Sequence, residues 1–251
     1  MGREELIEVY LDTHKTAKNK YPAGRSNSKK YKVGEVFVDP SSRINYIHVI
    51  NEDTVSALIG VEEFTIDRIC VLNMASAKKP GGGVKNGAKS QEEDLFRCSN
   101  LSILVEDSLY PLTDGECVYT EDVTFFKNSN YETIDPIICD VVTIPAINLN
   151  SGNKQIETHH YIKSTKDRIR LMLSLAIERD CKIMILGAWG CGVFKNSPIL
   201  MSSLFKEVIV QEGYGLYFHK IIFPVINDVN SAGNNYQVFK QTLENNISTT
   251  N

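Results

Sequence analysis

The stretch ICVLNMASAKKPGGGVKNGAKSQEEDLF, residues 69–96, decides how the rest of the chain is read. It opens on the apolar run Ile69–Met74, which has the length and branched character of a buried strand. The turn Gly81-Gly82-Gly83 follows. Ser90-Gln91-Glu92-Glu93-Asp94 then leads into Leu95, Phe96, Leu101, Ile103 and Leu104. Acidic residues at such a place suit a helix N-terminus, where the peptide dipoles favour negative charge. A strand, a glycine turn and a helix start in succession make an anion site available: glycine allows close approach, and unpaired N–H groups face the ligand.

Working outward, the same pattern recurs. Short Ile/Val-rich runs at 46–50, 141–147, 183–188 and 221–226 read as further buried strands. The run at 183–186 ends in a second glycine-rich turn, GAWGCGVF, residues 187–194. Helical stripes lie between: Ile169, Met172, Leu173, Ala176 and Ile177 within 164–179, and Leu200, Met201, Leu204, Phe205, Val208 and Ile209 within 197–210. Ser197-Pro198 reads as an N-cap and first helical position. Residues 1–19 read as a helix with Leu6, Val9 and Tyr10 on one face, and the basic stretch 18–34 as an exposed connection. Residues 105–136 are polar and read as an excursion containing a hairpin. Alternating strands and helices predict an α/β sheet covered on both faces, with ligands beyond the carboxyl ends of the strands. The expected division is 1–34 for the N-terminal helix and basic connection, 35–245 for the main domain and 246–251 for a polar tail.

Composition narrows the function classes. The chain has 251 residues, 42% hydrophobic and 23% charged, which excludes disordered and coiled-coil classes. A net charge of −4 argues against a general nucleic-acid binder but leaves room for a local basic pocket. The six cysteines form no CxxC pair, and no Cys/His cluster has zinc spacing, so neither a metal nor another cofactor is expected. No signal-peptide pattern and no membrane-length apolar run occur, so a reducing, intracellular and cytoplasmic location is expected.

Several residues admit two readings. Gly82 and Gly87 have phosphate-loop spacing, but Ala88 intrudes before Lys89-Ser90. One residue of slip turns a helical side chain by about 100°, so a nucleotide-dependent phosphotransferase is disfavoured. Glu92 and Glu93 either stabilise a helix start or form a carboxylate pair whose members raise each other's pKa. Asp53 caps the helix at 54–60 or touches a ligand, and Asn148 forms a turn or touches a ligand. Lys78-Lys79 either assist phosphate binding or form a solvated turn. Trp189 reads as a core anchor under its turn, ahead of a ring that stacks on a base.

Together, LNMASA at 72–77, the triple glycine at 81–83, Gln91-Glu92-Glu93 and GAWGCGVFKNSP at 187–198 resemble the signature of poly(ADP-ribose) glycohydrolases of the microbial type. NEDT at 51–54, DVTFF at 122–126 and IPAIN at 144–148 agree, so the resemblance spans about residues 35–240 in order. It implies a three-layer α/β/α macrodomain with a mixed sheet, an N-terminal helical extension and an ADP-ribose cleft. Carried over by position, Glu93 is the catalytic acid/base and Glu92 holds ribose hydroxyls. Gly81, Gly82, Gly83 and Val84 wrap the terminal ribose, with Asn73 beneath and Gln91 alongside. The amides of Gly190, Cys191, Gly192, Val193 and Phe194 cradle the diphosphate, with Phe194 against a ribose. Asp53 and Asn148 are weaker contacts. The implied substrate is poly(ADP-ribose) or an ADP-ribosylated macromolecule, with no obligate protein partner. A non-hydrolysing ADP-ribose reader and a mono-ADP-ribosyl hydrolase are the alternatives.

Overall fold

The computed structural model of the chain describes residues 1–22, 28–34, 46–150, 157–227 and 234–244. Its centre is a mixed sheet of seven strands: β1 (Ser28–Lys32), β2 (Tyr46–Ile50), β3 (Ile69–Met74), β4 (Glu116–Lys127), β5 (Thr133–Ile144), β6 (Ile183–Ile185) and β7 (Lys220–Pro224). The order across the sheet is β1-β4-β5-β3-β6-β7-β2. Strands β5, β3, β6, β7 and β2 run parallel to their neighbours, whereas β1, β4 and β5 form an antiparallel ribbon.

Side-chain alternation along the strands divides the core in two. Cys70, Leu72, Val142, Ile144 and Met184 face one cluster; Ile69, Val71, Cys139, Val141, Ile183 and Ile185 face the other. Helices α5 (Thr158–Glu178), α6 (Pro198–Lys206) and α7 (Asn235–Glu244) cover the first face with Ile169, Met172, Phe205 and Phe239. Helices α1 (Arg3–Lys20), α2 (Thr54–Glu62), α3 (Gln91–Cys98) and α4 (Leu101–Leu104) cover the second with Tyr10, Leu58, Leu95 and Leu101. Each fully buried aliphatic or aromatic side chain contributes roughly 1.5–3 kcal/mol. The result is the three-layer α/β/α arrangement.

Four expectations change in detail. Residues 28–32, read as connection, form edge strand β1 against β4; its Lys-rich sequence is polar because an edge needs no apolar outer face. The 105–136 excursion belongs largely to the sheet, since β4 and β5 form a long hairpin with register shifts between Thr120/Val123 and Phe125/Lys127. Helix α5 begins at Thr158 and so includes His159 and His160. Beyond α6, the expected helix continues as a π-helical turn, Glu207–Gln211. Ser197 does cap α6, accepting from the Leu200 amide, with Pro198 in the first turn. The proposed tail at 246–251 lies outside the described residues.

Helix α1 is bound tightly to the domain. The guanidinium of the fully buried Arg97 donates to the carbonyls of Leu6 (3.2 Å) and Ala88 (2.6 Å). Thr13 Oγ1 donates to the Arg97 carbonyl at 2.7 Å. Arg97 therefore links the N-terminal helix, α3 and the glycine loop.

Candidate active site

The parallel strands bring three segments to one end of the sheet: the start of α2, the loop from Ser76 to Ser90 with the first turn of α3, and the turn after β6. A cavity of about 330 Å³ opens between them. Its wall includes Asp53, Thr54, Lys89, Ser90, Gln91, Trp189, Gly190, Gly192, Val193 and Phe194, so segments flanking both glycine turns face one space. Met74, Asp94, Pro224, Ile226 and Asn235 also line it. Asn73, Gly81, Gly82, Gly83, Val84, Glu92, Glu93, Cys191 and Asn148 are not in that wall.

Glu92 and Glu93 are 3% and 6% exposed and sit under the glycine loop. Glu92 Oε2 accepts from the Ser76 amide at 2.7 Å, and Glu93 Oε1 from the Gly83 amide at 2.8 Å. Ser90, which faces the cavity, donates its hydroxyl to Glu93 Oε2. Gly82 shows why the turn needs glycine. Its φ is +51°, and a Cβ there would lie 2.6 Å from Glu93 Oε1 and 2.8 Å from Glu92 Oε2. The main chain thus packs directly onto both carboxyl groups.

Burial raises Glu92 to about 8, and the charge of Glu93 pushes the same way; the Ser76 amide opposes both. Burial, more than repulsion between the two acids, is what raises Glu92. Glu92 Oε1 and Asn73 Oδ1 are both buried without a hydrogen-bond partner among the described residues, and so is the Tyr110 hydroxyl. Burial raises the Tyr110 phenol, with the charge of Glu92 adding to the effect. Native proteins rarely leave buried polar atoms unpaired, so these three set this corner of the structure apart. The sequence reading missed Tyr110, because no motif surrounds it.

Other residues of the expected set fall into distinct roles. Gln91 lines the cavity, but its amide is committed: Oε1 accepts from the Met74 amide (2.9 Å), and Nε2 donates to the Leu72 carbonyl (2.6 Å) and Thr54 Oγ1 (3.3 Å). It fastens α3 to the end of β3. Val84 is 1% exposed and belongs to the apolar core, so only its main chain faces the loop. Asp53 caps α2 through the Val55 and Ser56 amides and bonds Ser129 and Ser56 hydroxyls. Its burial would raise it, but these donors outweigh that and hold it below the usual range. Asn148 is exposed and accepts from the Asn150 amide, as a turn former does. Lys89 Nζ donates to the Met1 carbonyl at 2.8 Å, which ties it to the N-terminus.

In the second turn, Trp189 is fully buried and donates to the Ile144 carbonyl at 3.0 Å, which fixes it as the anchor. The Cys191 amide is committed to the Ala188 carbonyl at 3.0 Å, and burial raises its thiol to about 12. The amides of Gly190, Gly192, Val193 and Phe194 make no main-chain hydrogen bond among the described residues. Asn196 holds the turn shut: Nδ2 donates to the Ile147 and Gly190 carbonyls at 2.9 Å, and Tyr161 donates to Oδ1 at 2.6 Å. Gly190 is required here, since a Cβ at its φ of +75° would lie 2.6 Å from Asn196 Nδ2. The sequence reading also missed Asn235, 3% exposed in the cavity wall with Oδ1 unpaired among the described residues. A lone polar residue at a helix start carries no signal of that kind.

All six cysteines are buried free thiols. Among the described residues, no group of three His, Cys, Asp or Glu could hold a metal ion, and no helix is long and apolar enough to cross a membrane.

Residues 8–128 match the family described as microbial-type PARG, catalytic domain. Among solved structures, poly(ADP-ribose) glycohydrolase from Thermomonospora curvata has a TM-score of 0.85 at 22% identity, over 95% of this chain and 99% of that one. Its complex with the inhibitor ADP-HPD gives 0.83 at 23%, over the same shares. The Deinococcus radiodurans enzyme in complex with ADP-ribose gives 0.71 at 24%, over 97% of this chain and 91% of that one. No curated protein sequence matches significantly. Residues 8–128 are thus similar to the microbial-type PARG catalytic domain, and over nearly its whole length the chain has the fold of the solved bacterial PARG structures.

Proposed function

We propose that this chain is a poly(ADP-ribose) glycohydrolase that releases ADP-ribose from chain ends by hydrolysing the ribose–ribose O-glycosidic bond. One observation carries the reading. Two buried carboxyl groups, one with an unpaired oxygen, sit under one glycine turn, beside a cavity that the second glycine turn lines. An ADP-ribose reader needs no buried acid pair, so the enzyme reading is favoured over the non-hydrolysing one.

The free amides of Gly190, Gly192, Val193 and Phe194 suit a diphosphate, and Phe194 presents a ring for ribose packing. At the other end, the terminal ribose donates hydroxyls to Glu92 Oε1 and Asn73 Oδ1. Such bonds favour the ionised form of Glu92. Glu93, held by the Gly83 amide and the Ser90 hydroxyl, is the neighbouring carboxyl group placed to exchange a proton with the leaving oxygen. Breaking the bond at the anomeric carbon passes through an oxocarbenium-like state. The leaving ribose oxygen takes the proton from Glu93. Water then attacks the anomeric carbon and returns a proton to Glu93. The six reduced, buried thiols support an intracellular, cytoplasmic setting.

Incubation with purified poly(ADP-ribose), followed by chromatography of free ADP-ribose, tests the reading. Release of ADP-ribose is expected; tight binding of ADP-ribose without release would leave only a reader.

A further inference from the structure

The cavity accounts for the retained ADP-ribose but not for what leaves. The leaving half cannot share that cavity; it must pass the carboxyl groups on their other side. Residues 76–88 of the loop lie outside the cavity wall and border the carboxyl groups, holding Glu92 through the Ser76 amide and Glu93 through the Gly83 amide. Its outward positions carry Lys78, Lys79 and Lys85, all exposed and none in the cavity wall. No ion pair links any of the three to a described residue. Each lies within three residues of an amide bonded to a catalytic carboxyl group. This local positive cluster stands on a protein whose net charge is −4. His14 on α1 feels the charge of Lys85: burial lowers its pKa, and the charges of Lys18 and Lys85 lower it further.

We propose that Lys78, Lys79 and Lys85 form a leaving-side subsite that holds the diphosphate of the adjoining ADP-ribose unit. The inference rests on the glycohydrolase reading and specifies its substrate. In the polymer, the leaving oxygen belongs to the adenosine ribose of the adjoining unit, and that unit's diphosphate begins one ribose away from the broken bond. Flexible lysines suit such a group, acting as point charges that track a mobile diphosphate rather than fixing it in one geometry. Exposed charges of this kind act through long-range attraction that salt screens. The subsite makes polymer a better substrate than a single ADP-ribosyl group on a neutral acceptor, which places no second diphosphate over the loop.

The test combines the triple reversal Lys78→Glu, Lys79→Glu and Lys85→Glu with two substrates. For the unmodified protein on poly(ADP-ribose), log(kcat/KM) should fall with log salt. The triple variant should raise KM for the polymer about tenfold and flatten that slope. ADP-ribose affinity, measured by calorimetry, should stay within about twofold, since screening confines exposed charges to roughly 10 Å. In an inactive Glu93→Gln background, a dimer of ADP-ribose should bind more tightly than the monomer, and the lysine reversals should abolish the difference. An unchanged polymer KM with an active parent protein overturns the subsite alone. A parallel loss of ADP-ribose affinity also overturns it, assigning the lysines to the cavity. An inactive parent removes the glycohydrolase reading, and the subsite with it. Equal loss on ADP-ribosylated acidic protein and on polymer would assign the lysines to the acceptor instead.

Discussion

The Gly83 amide donates to Oε1 of Glu93 at 2.8 Å, so a carboxyl group in the first turn of α3 is held by the loop ten residues before it. A glutamine at 93 keeps an oxygen to accept that bond but has no proton to give at neutral pH. Glu93→Gln should therefore lower ADP-ribose release by about 10²–10⁴-fold and leave ADP-ribose affinity within about threefold. Rate measurement and calorimetry on the same preparation separate the two. Near-normal turnover would remove Glu93 from the acid/base role.

Gly82→Ala tests the packing of main chain on the acid pair. The added Cβ falls 2.6 Å from Glu93 Oε1, and the loop or the acids must shift. A displacement of about 1 Å costs on the order of 100-fold in rate. The left-handed conformation costs only about 1–2 kcal/mol. Activity should thus collapse while the protein stays folded; thermal melting alongside kinetics checks this.

Glu92 gives two pH signatures. Its folded value of about 8 lies above its ordinary 4.5, so between those values the folded chain binds more protons than the unfolded one. The associated stability is complete below 4.5 and is lost as pH rises through about 8, an effect on the order of a few kcal/mol. Denaturant unfolding of Glu92→Gln should show that slope removed and higher stability than the parent above pH 8. The parent's kcat/KM should fall as pH rises through about 8, because Glu92 then loses its proton. A flat profile between pH 6 and pH 9 would contradict this assignment.

Arg97→Met removes the donors to Leu6 and Ala88 while keeping apolar volume. The buried Leu6 carbonyl and the half-buried Ala88 carbonyl lose a charged partner, at a cost of about 2–4 kcal/mol, which corresponds to a Tm drop of roughly 5–15 °C. Because Ala88 ends the glycine loop, activity should fall as well. A variant with the parental Tm would show that α1 is not held through Arg97.

The central strand β3 was legible because a strand buried on both faces must be apolar throughout, and 69–74 match it residue for residue; 46–50 match β2 in bounds, but β2 is an edge strand whose Tyr46 and His48 are exposed rather than the buried strand expected. The polar edge strand β1 was not legible, since its Lys-rich face answers to solvent and its pairing to β4, a segment far along the chain. The two glycine turns and Gln91-Glu92-Glu93 also stood in the sequence, because their spacing is local chemistry. Tertiary structure alone decided which acid is raised, since burial depends on what lies above Glu92. It alone committed Gln91 to strand β3, buried Val84 in the core and brought Tyr110 and Asn235 to the site. These are distances between residues remote along the chain, and no local pattern encodes them.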